Sequence, residues 1–224
     1  MRQLRSMRVI IVALLAEVLI LSALGENTAE YWSGQGDLYL INGSYERAAA
    51  SYDLALEIDP SNATILNSRG LALAGLGRYD EAISSFDMAI AQNASYFDAW
   101  FNKAGALMNQ RRFEEALSCL ERATELDPTY YDGWSSRGMV LANMGRLDEA
   151  LSSFERAVEI DPDDARGWNN RGLVLLHLGR YEDAMASFDR ALEIDPSYEV
   201  ARQNRQLALQ EIESYEDFAP RAVL

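Results

Sequence analysis

Much of the side-chain chemistry that enzymes depend on is nearly missing from this 224-residue chain. It has one cysteine, Cys119, and one histidine, His177. One cysteine excludes an internal disulfide, and one cysteine with one histidine cannot close a structural zinc site. A lone histidine also leaves no partner for a nucleophile triad. Five prolines and 14 glycines are too few for a collagen-like or loop-rich β fold. Lysine is almost absent: Lys103 is the only one, and arginine supplies the rest of the 20 basic residues. Against 35 acidic residues these leave a net charge of −15, which repels a phosphate backbone and excludes nucleic acid as a first-choice partner. Codon bias and adaptation to a salt-rich medium both account for an acidic, lysine-poor surface.

No apolar run reaches the ~20 residues of a spanning helix. The longest is Val9 to Leu24, interrupted by Glu17 and Ser22 and preceded by Arg2, Arg5 and Arg8. A basic start, an apolar core and the small residues Ala23 and Gly25 form an export signal. Residues 1–28 are therefore expected to be a signal peptide or an N-terminal membrane anchor, with residues 9–24 in the membrane if uncleaved. A fortuitous apolar N-terminal helix is the alternative. Glu17 disfavours insertion by about 2–3 kcal/mol, which the flanking Ile and Leu residues can offset. Positive charge on one side only places the repeats described below outside the cytoplasm, membrane-anchored or secreted.

What the chain has in abundance is itself. Tyr79-Asp-Glu-Ala-Ile-Ser-Ser-Phe86 returns as Leu147-Asp-Glu-Ala-Leu-Ser-Ser-Phe154 and as Tyr181-Glu-Asp-Ala-Met-Ala-Ser-Phe188, with looser copies from Tyr45 and Phe113. The spacing is 34 residues or a multiple of it. Five copies run 29–62, 63–96, 97–130, 131–164 and 165–198, about three quarters of the chain. Numbering each copy from 1 to 34, position 4 is Trp32, Leu66, Trp100, Trp134 and Trp168, and position 8 is Gly36, Gly70, Ala104, Gly138 and Gly172. Positions 20 and 27 are alanine in every copy, and position 24 is Tyr52, Phe86, Leu120, Phe154 and Phe188. A period of 34 with this pattern resembles the tetratricopeptide repeat. Leu66, Ala104 and Ala94 (where the other copies carry proline) depart from it without breaking a helix.

Helical spacing gives two amphipathic helices per copy. The first run near 29–42, 63–76, 97–110, 131–144 and 165–178; the second near 45–58, 79–92, 113–126, 147–160 and 181–194. Gly43, Gly77, Gly145 and Gly179 follow the first helices as left-handed caps, and Arg111 stands in that place in the third copy. The position-4 tryptophans are expected to be buried. One helix pair cannot bury its stripe alone, so the fold class is all-α: a right-handed α-solenoid of stacked antiparallel helix pairs, a tetratricopeptide superhelix. Residues 199–224 are expected to form a capping helix, patterned by Val200, Asn204, Leu207 and Ile212, with a frayed tail from Glu213.

The resemblance implies a concave groove for extended peptides or helices, lined by positions 2, 5, 6, 9, 12 and 13. The candidate partner-binding residues are Asn67, Asp98, Phe101, Asn102, Asn109, Asp132, Asn143, Arg166, Asn169, Asn170 and His177, since asparagine can both donate to and accept from a peptide backbone. Some relatives grip a C-terminal carboxylate with basic residues at positions 2, 5 and 6; here only Arg166 is basic there, so that mode is disfavoured. Cys119 is expected on the outer edge of its helix as an inert serine substitute. No catalytic residue, metal or cofactor is expected. The function implied is a non-enzymatic protein-interaction scaffold, with a self-assembling structural protein or a non-catalytic subunit of a larger membrane complex as alternatives. Three sequons, at Asn42, Asn62 and Asn93, are candidate glycan acceptors if the chain is exported.

Position 7 holds the oddest pattern. On the buried arc, where the family usually has leucine, stand Gln35, Arg69, Lys103, Arg137 and Arg171. Position 25 is acidic in every copy: Asp53, Asp87, Glu121, Glu155 and Asp189. A bare buried charge is costly, so a ladder of partly buried ion pairs is expected. Only the first copy, which has nothing before it, lacks the cation, and this favours pairing with the preceding copy.

Overall fold

The structure is a computed structural model that describes residues 27–218. The expected export segment at residues 9–24 lies outside the described residues. Among the described residues there are helices and no strands: α1 (Ala29–Ile41), α2 (Tyr45–Ile58), α3 (Ala63–Gly75), α4 (Tyr79–Gln92), α5 (Phe97–Asn109), α6 (Phe113–Leu126), α7 (Tyr131–Asn143), α8 (Leu147–Ile160), α9 (Ala165–His177), α10 (Tyr181–Ile194) and α11 (Glu199–Phe218). None is long and apolar enough to cross a membrane. The chain divides into two compact units, Met1–Gln110 and Arg111–Leu224. In the first, α1 to α5 pack each on the next, and α3 also meets α1 and α5; in the second, α6 to α11 pack each on the next, and α9 also meets α11.

The second helices begin and end where the sequence periodicity places them. The first helices stop one residue sooner, because the cap residue already turns. Gly43, Gly77, Gly145 and Gly179 have φ between 69° and 75°, and the backbone N–H of the next residue closes onto the previous turn, as from Ser44 to the Tyr39 carbonyl at 2.8 Å. Arg111 adopts the same conformation, φ 60°, without a glycine's freedom, so the third turn keeps its geometry against a steric penalty of about 1–2 kcal/mol. At the other end of α3, Asn62 caps the Ile65 N–H at 3.2 Å.

Packing explains why small and aromatic residues alternate. The position-24 rings Tyr52, Phe86, Phe154 and Phe188 are buried together with the alanines at 20 and 27. Each ring lies flat against a position-8 glycine: a Cβ added at Gly138 would sit 2.8 Å from Phe154 Cζ, and at Gly172 2.5 Å from Phe188 Cε1. The one copy with alanine at position 8, Ala104, is also the one with leucine rather than an aromatic at 24, Leu120. Tyr52 is the only polar ring of the set; its hydroxyl donates to Asp37 at 2.7 Å, and burial followed by that carboxylate pushes its pKa far up.

The ion-pair ladder exists, and it joins each copy to the one before. Arg69 Nε reaches Asp53 Oδ1 at 2.6 Å, Lys103 Nζ reaches Asp87 at 2.6 Å, and Arg171 Nη2 reaches Glu155 at 3.1 Å; Arg137 and Glu121 stand 3.9 Å apart. The cation heads do more than snorkel. Arg69, Arg137 and Arg171 also donate through Nη1 to the buried hydroxyls of Ser85, Ser153 and Ser187 at 2.6, 2.8 and 2.6 Å. Lys103, Arg137 and Arg171 lie about 6 Å over the rings of Trp100, Trp134 and Trp168. The cationic side chains are 19–26% exposed and their acids about half exposed.

Four sequence expectations need correction. The tryptophans at position 4 are half-buried rather than buried, and three of them turn the indole N–H outward to a turn carbonyl: Trp100 to Ala94 at 3.0 Å, Trp134 to Pro128 at 3.0 Å and Trp168 to Pro162 at 2.9 Å. Cys119 is not at an outer edge but buried, 4% exposed, in the position that the other copies fill with buried serine. The last helix does not fray at Glu213 but runs to Phe218. It is moreover the first helix of an incomplete sixth copy: Arg205, at position 7, pairs with Asp189, at position 25 of the fifth.

Two pairs of substitutions measure these interactions. Gly138→Ala should destabilise by about 1–3 kcal/mol although alanine is the better helix former, and Phe154→Leu should relieve it, as read by denaturant midpoints of the singles and the double. Arg171→Met should lower stability by about 1–3 kcal/mol through the orphaned Ser187 and Glu155 contacts. A double-mutant cycle with Glu155→Gln should give a coupling of about 0.5–1 kcal/mol that shrinks in 1 M salt; additive effects in that cycle would reduce the pair to mere proximity.

Candidate functional site

The expected groove residues separate by what their polar atoms are already doing. In the first unit Asn67 is 5% exposed, and its Oδ1 accepts from Asn102 Nδ2 at 3.0 Å. In the second, Asn169 is 3% exposed and accepts from Asn204 at 2.9 Å. These two are therefore struts between adjacent first helices rather than groove surface, and the sequence reading of them is corrected accordingly. The spacing is 35 residues in both cases, position 5 to position 6 of the next copy. Asn109 and Asn143 are exposed but fold their Nδ2 back to Gly105 and Met139 carbonyls at 2.9 and 2.8 Å. His177 is exposed at the end of α9, with Nδ1 2.7 Å from the Leu173 carbonyl.

In the first unit Asp98 is exposed and Phe101 stacks on Phe97 with ring centroids 6.3 Å apart. Tyr96, at the turn before α5, hydrogen-bonds Thr64 and Asn67; burial raises the pKa of its hydroxyl. These residues give the first unit a firm, mostly satisfied face.

The second unit has an open one. A hollow of about 270 Å³ lies on the first helices α7 and α9, lined by Tyr131, Asp132, Ser136, Met139, Arg166, Asn170 and Tyr198. A larger hollow of about 440 Å³ lies beside it, at the turns before α9 and α11, and shares Arg166 and Tyr198 with it. We take the smaller as the site because it sits on the helix faces, whereas the larger is walled by turns. Asp164, which lines the larger hollow, holds two of the residues that line the smaller one, Arg166 and Tyr131. That carboxylate caps α9 through the Arg166 N–H at 2.9 Å, receives the Arg166 guanidinium at 3.2 Å and accepts from the Tyr131 hydroxyl. Burial alone would raise the pKa of Asp164, but these donors outweigh it and hold the group below the usual carboxylate range. Burial and then the same carboxylate drive the Tyr131 phenol far up, so it stays a donor at any physiological pH. Gly167 makes the contact possible, since a Cβ there would come 2.8 Å from the Tyr131 oxygen.

Of the expected residues, then, the structure brings Asp132, Arg166 and Asn170 together at one hollow. Asp132, Ser136 and Asn170 make no hydrogen bond there with the other described residues, so they are free to engage a ligand. Tyr131, Ser136, Met139 and Tyr198 were missed, although Ser136 and Met139 lie at positions 6 and 9 of α7. The tyrosines lie at position 1, where α7 opens, and at position 34, in the turn before α11, both outside the helix-face arc. The cluster of Tyr130, Tyr131 and Tyr198 around two copy boundaries, with glycine at 167, was the available signal. Among the described residues no three metal-binding side chains gather.

Family comparisons accord with this geometry. The model described as Tetratricopeptide repeat matches residues 67–131 and 135–199, a second of the same description matches 103–166, and one described as TPR repeat matches 36–77. The chain belongs to the tetratricopeptide repeat family. No curated protein matches it. Among solved structures it is similar to YrrB, a TPR protein with an unusual peptide-binding site, at 32% identity over 83% of this chain and 96% of that one, with a TM-score of 0.70. It is similar to a MamA protein at 26% identity over 77% and 93%, TM-score 0.69. MamA from Desulfovibrio magneticus RS-1 shares the fold at 22% identity over 76% and 96%, TM-score 0.70. As a tetratricopeptide repeat protein the chain is a protein-interaction scaffold.

Tyr131→Phe should remove one donor from Asp164 and let its pKa rise toward the ordinary value of about 3.9. A carboxylate with a depressed folded pKa stabilises the fold above its unfolded pKa and loses that contribution as pH falls through the folded one. The variant should therefore be less stable than the parent at pH 6 and lose less of its Tm as the pH falls to 2, because less of the Asp164 contribution remains to be lost, with the Asp164 carboxyl followed by NMR.

Proposed function

We propose that the hollow on α7 and α9 receives an extended segment of a partner protein, and that the export segment carries the repeats outside the cytoplasm as a non-catalytic scaffold. The observation that carries the first part is the set of unengaged polar groups, Asp132, Ser136 and Asn170, beside the apolar side chain of Met139 and the ring of Tyr131. Asn170 offers both a donor and an acceptor to a peptide backbone, and Asp132 offers a charge to a basic side chain. Arg166 is already engaged by Asp164, so the free charge of the hollow is negative. The chain's net charge of −15 likewise favours a neutral or basic partner over an acidic one. YrrB, a family member with a peptide-binding site, makes this mode a natural one for the fold. For the location, the support is Arg2, Arg5 and Arg8 ahead of the apolar stretch 9–24.

A photo-crosslinking residue at Ser136 of the full chain should capture a protein partner in the source cells, whereas one at the exposed Ser152 on α8 should not. Asn170→Ala should weaken that partner's binding about fivefold to tenfold, the equivalent of about one hydrogen bond. Equal capture at both positions would count against the groove. Protease added to intact cells should digest the repeats; a protected, full-length chain would count against export.

A further inference from the structure

We propose that Asn93 is an N-linked glycan acceptor, and the only one of the three sequons that the folded chain presents in reactive form. The assignment rests on the export reading, because glycan transfer of this kind takes place outside the cytoplasm.

The five copies themselves supply the comparison. At position 31 four copies have aspartate followed by proline: Asp59-Pro60, Asp127-Pro128, Asp161-Pro162 and Asp195-Pro196. The second copy alone reads Asn93-Ala94-Ser95. A proline between asparagine and serine forbids a sequon, so the loss of proline and the change of acid to amide are both required, and both occur at this one turn. The turn does not alter to accommodate them. Asp127, Asp161 and Asp195 each accept, through Oδ1, the N–H two residues on, at 2.9, 3.1 and 2.9 Å. Asn93 Oδ1 accepts the Ser95 N–H at 3.0 Å in the same way. The amide thus keeps the acid's structural duty with its oxygen and adds an Nδ2 that the turn does not need.

That nitrogen distinguishes the three sites. Asn62 is half-buried, caps α3 with its oxygen and gives its Nδ2 to Asp59 at 2.9 Å. Asn42 gives its Nδ2 to the Leu38 carbonyl at 2.9 Å and precedes the left-handed Gly43. Asn93 is exposed, extended at φ −144° and ψ 94°, and no hydrogen bond from the described residues engages its Nδ2. In the transfer, Nδ2 bonds to the anomeric carbon of a glycan carried on a lipid phosphate. The carbon–oxygen bond to that phosphate breaks, the lipid phosphate leaves with the bonding pair, and one amide proton passes to solvent.

The experiment uses the full chain expressed in its source cells, with Asn93→Asp as the principal variant, since aspartate is what the other four copies carry at this turn. Intact mass, and gel mobility before and after chemical deglycosylation, are compared for the parent, Asn93→Asp, Ser95→Ala and Asn62→Gln. The parent and Asn62→Gln should carry mass beyond the polypeptide, and Asn93→Asp and Ser95→Ala should not. A chain that external protease digests but whose mass is that of the bare polypeptide overturns the acceptor assignment and leaves export standing. Glycan that persists in Asn93→Asp also overturns it. A chain that protease cannot reach overturns the export reading and the acceptor assignment together.

Discussion

A guanidinium on the buried side of a helix is what makes each repeat depend on the one before it. Arg69, Arg137 and Arg171 each face a serine on their own second helix and an acid on the preceding one, and the last two also lie over a tryptophan face one turn away. Leucine in the same place would gain burial but could not tell one register from another. The cation can, because only one alignment of adjacent copies leaves no charge unmatched. Lys103 meets the same acid without the fork, and it is the copy whose position 23 is cysteine rather than serine. The planar donor set and its hydroxyl acceptor change together along the chain.

Around that polar seam the packing is plain. Glycine at position 8 accepts an aromatic at position 24, alanines at 20 and 27 bring the helix backbones close, and a left-handed residue turns the chain back. Arg111 takes the same left-handed backbone without being a glycine, so glycine makes this turn cheaper but is not required for it. The asparagine struts from 67 to 102 and from 169 to 204 add a second, neutral bridge between adjacent first helices.

The fold was legible because its signals are periodic. Five copies of one pattern average out local ambiguity, and even the ladder of charges could be read from two columns of residues. The last helix was read only in part. Arg205 and Asn204 occupy positions 7 and 6 of a sixth register, but the aromatic and glycine marks that announce a copy are absent there. The groove was harder, for two reasons. Helical angles place Asn67 and Asn169 on the groove side but cannot show that the next helix leans over them. The arc also leaves out the helix ends, so Tyr131, which opens α7, and Tyr198, which enters from a turn, fell outside it. A periodic pattern describes what every copy shares, while a binding site consists of what one copy does differently.

Every ion pair of the ladder spans only 16 residues, from the acid on one second helix to the cation on the next first helix. No tie between copies waits for a distant part of the sequence. A chain of such low contact order can fold as it is delivered, each copy completing its seam once the following helix has appeared. For a protein delivered end-first through a narrow passage, this means that a half-emerged molecule exposes at most one unfinished interface at a time.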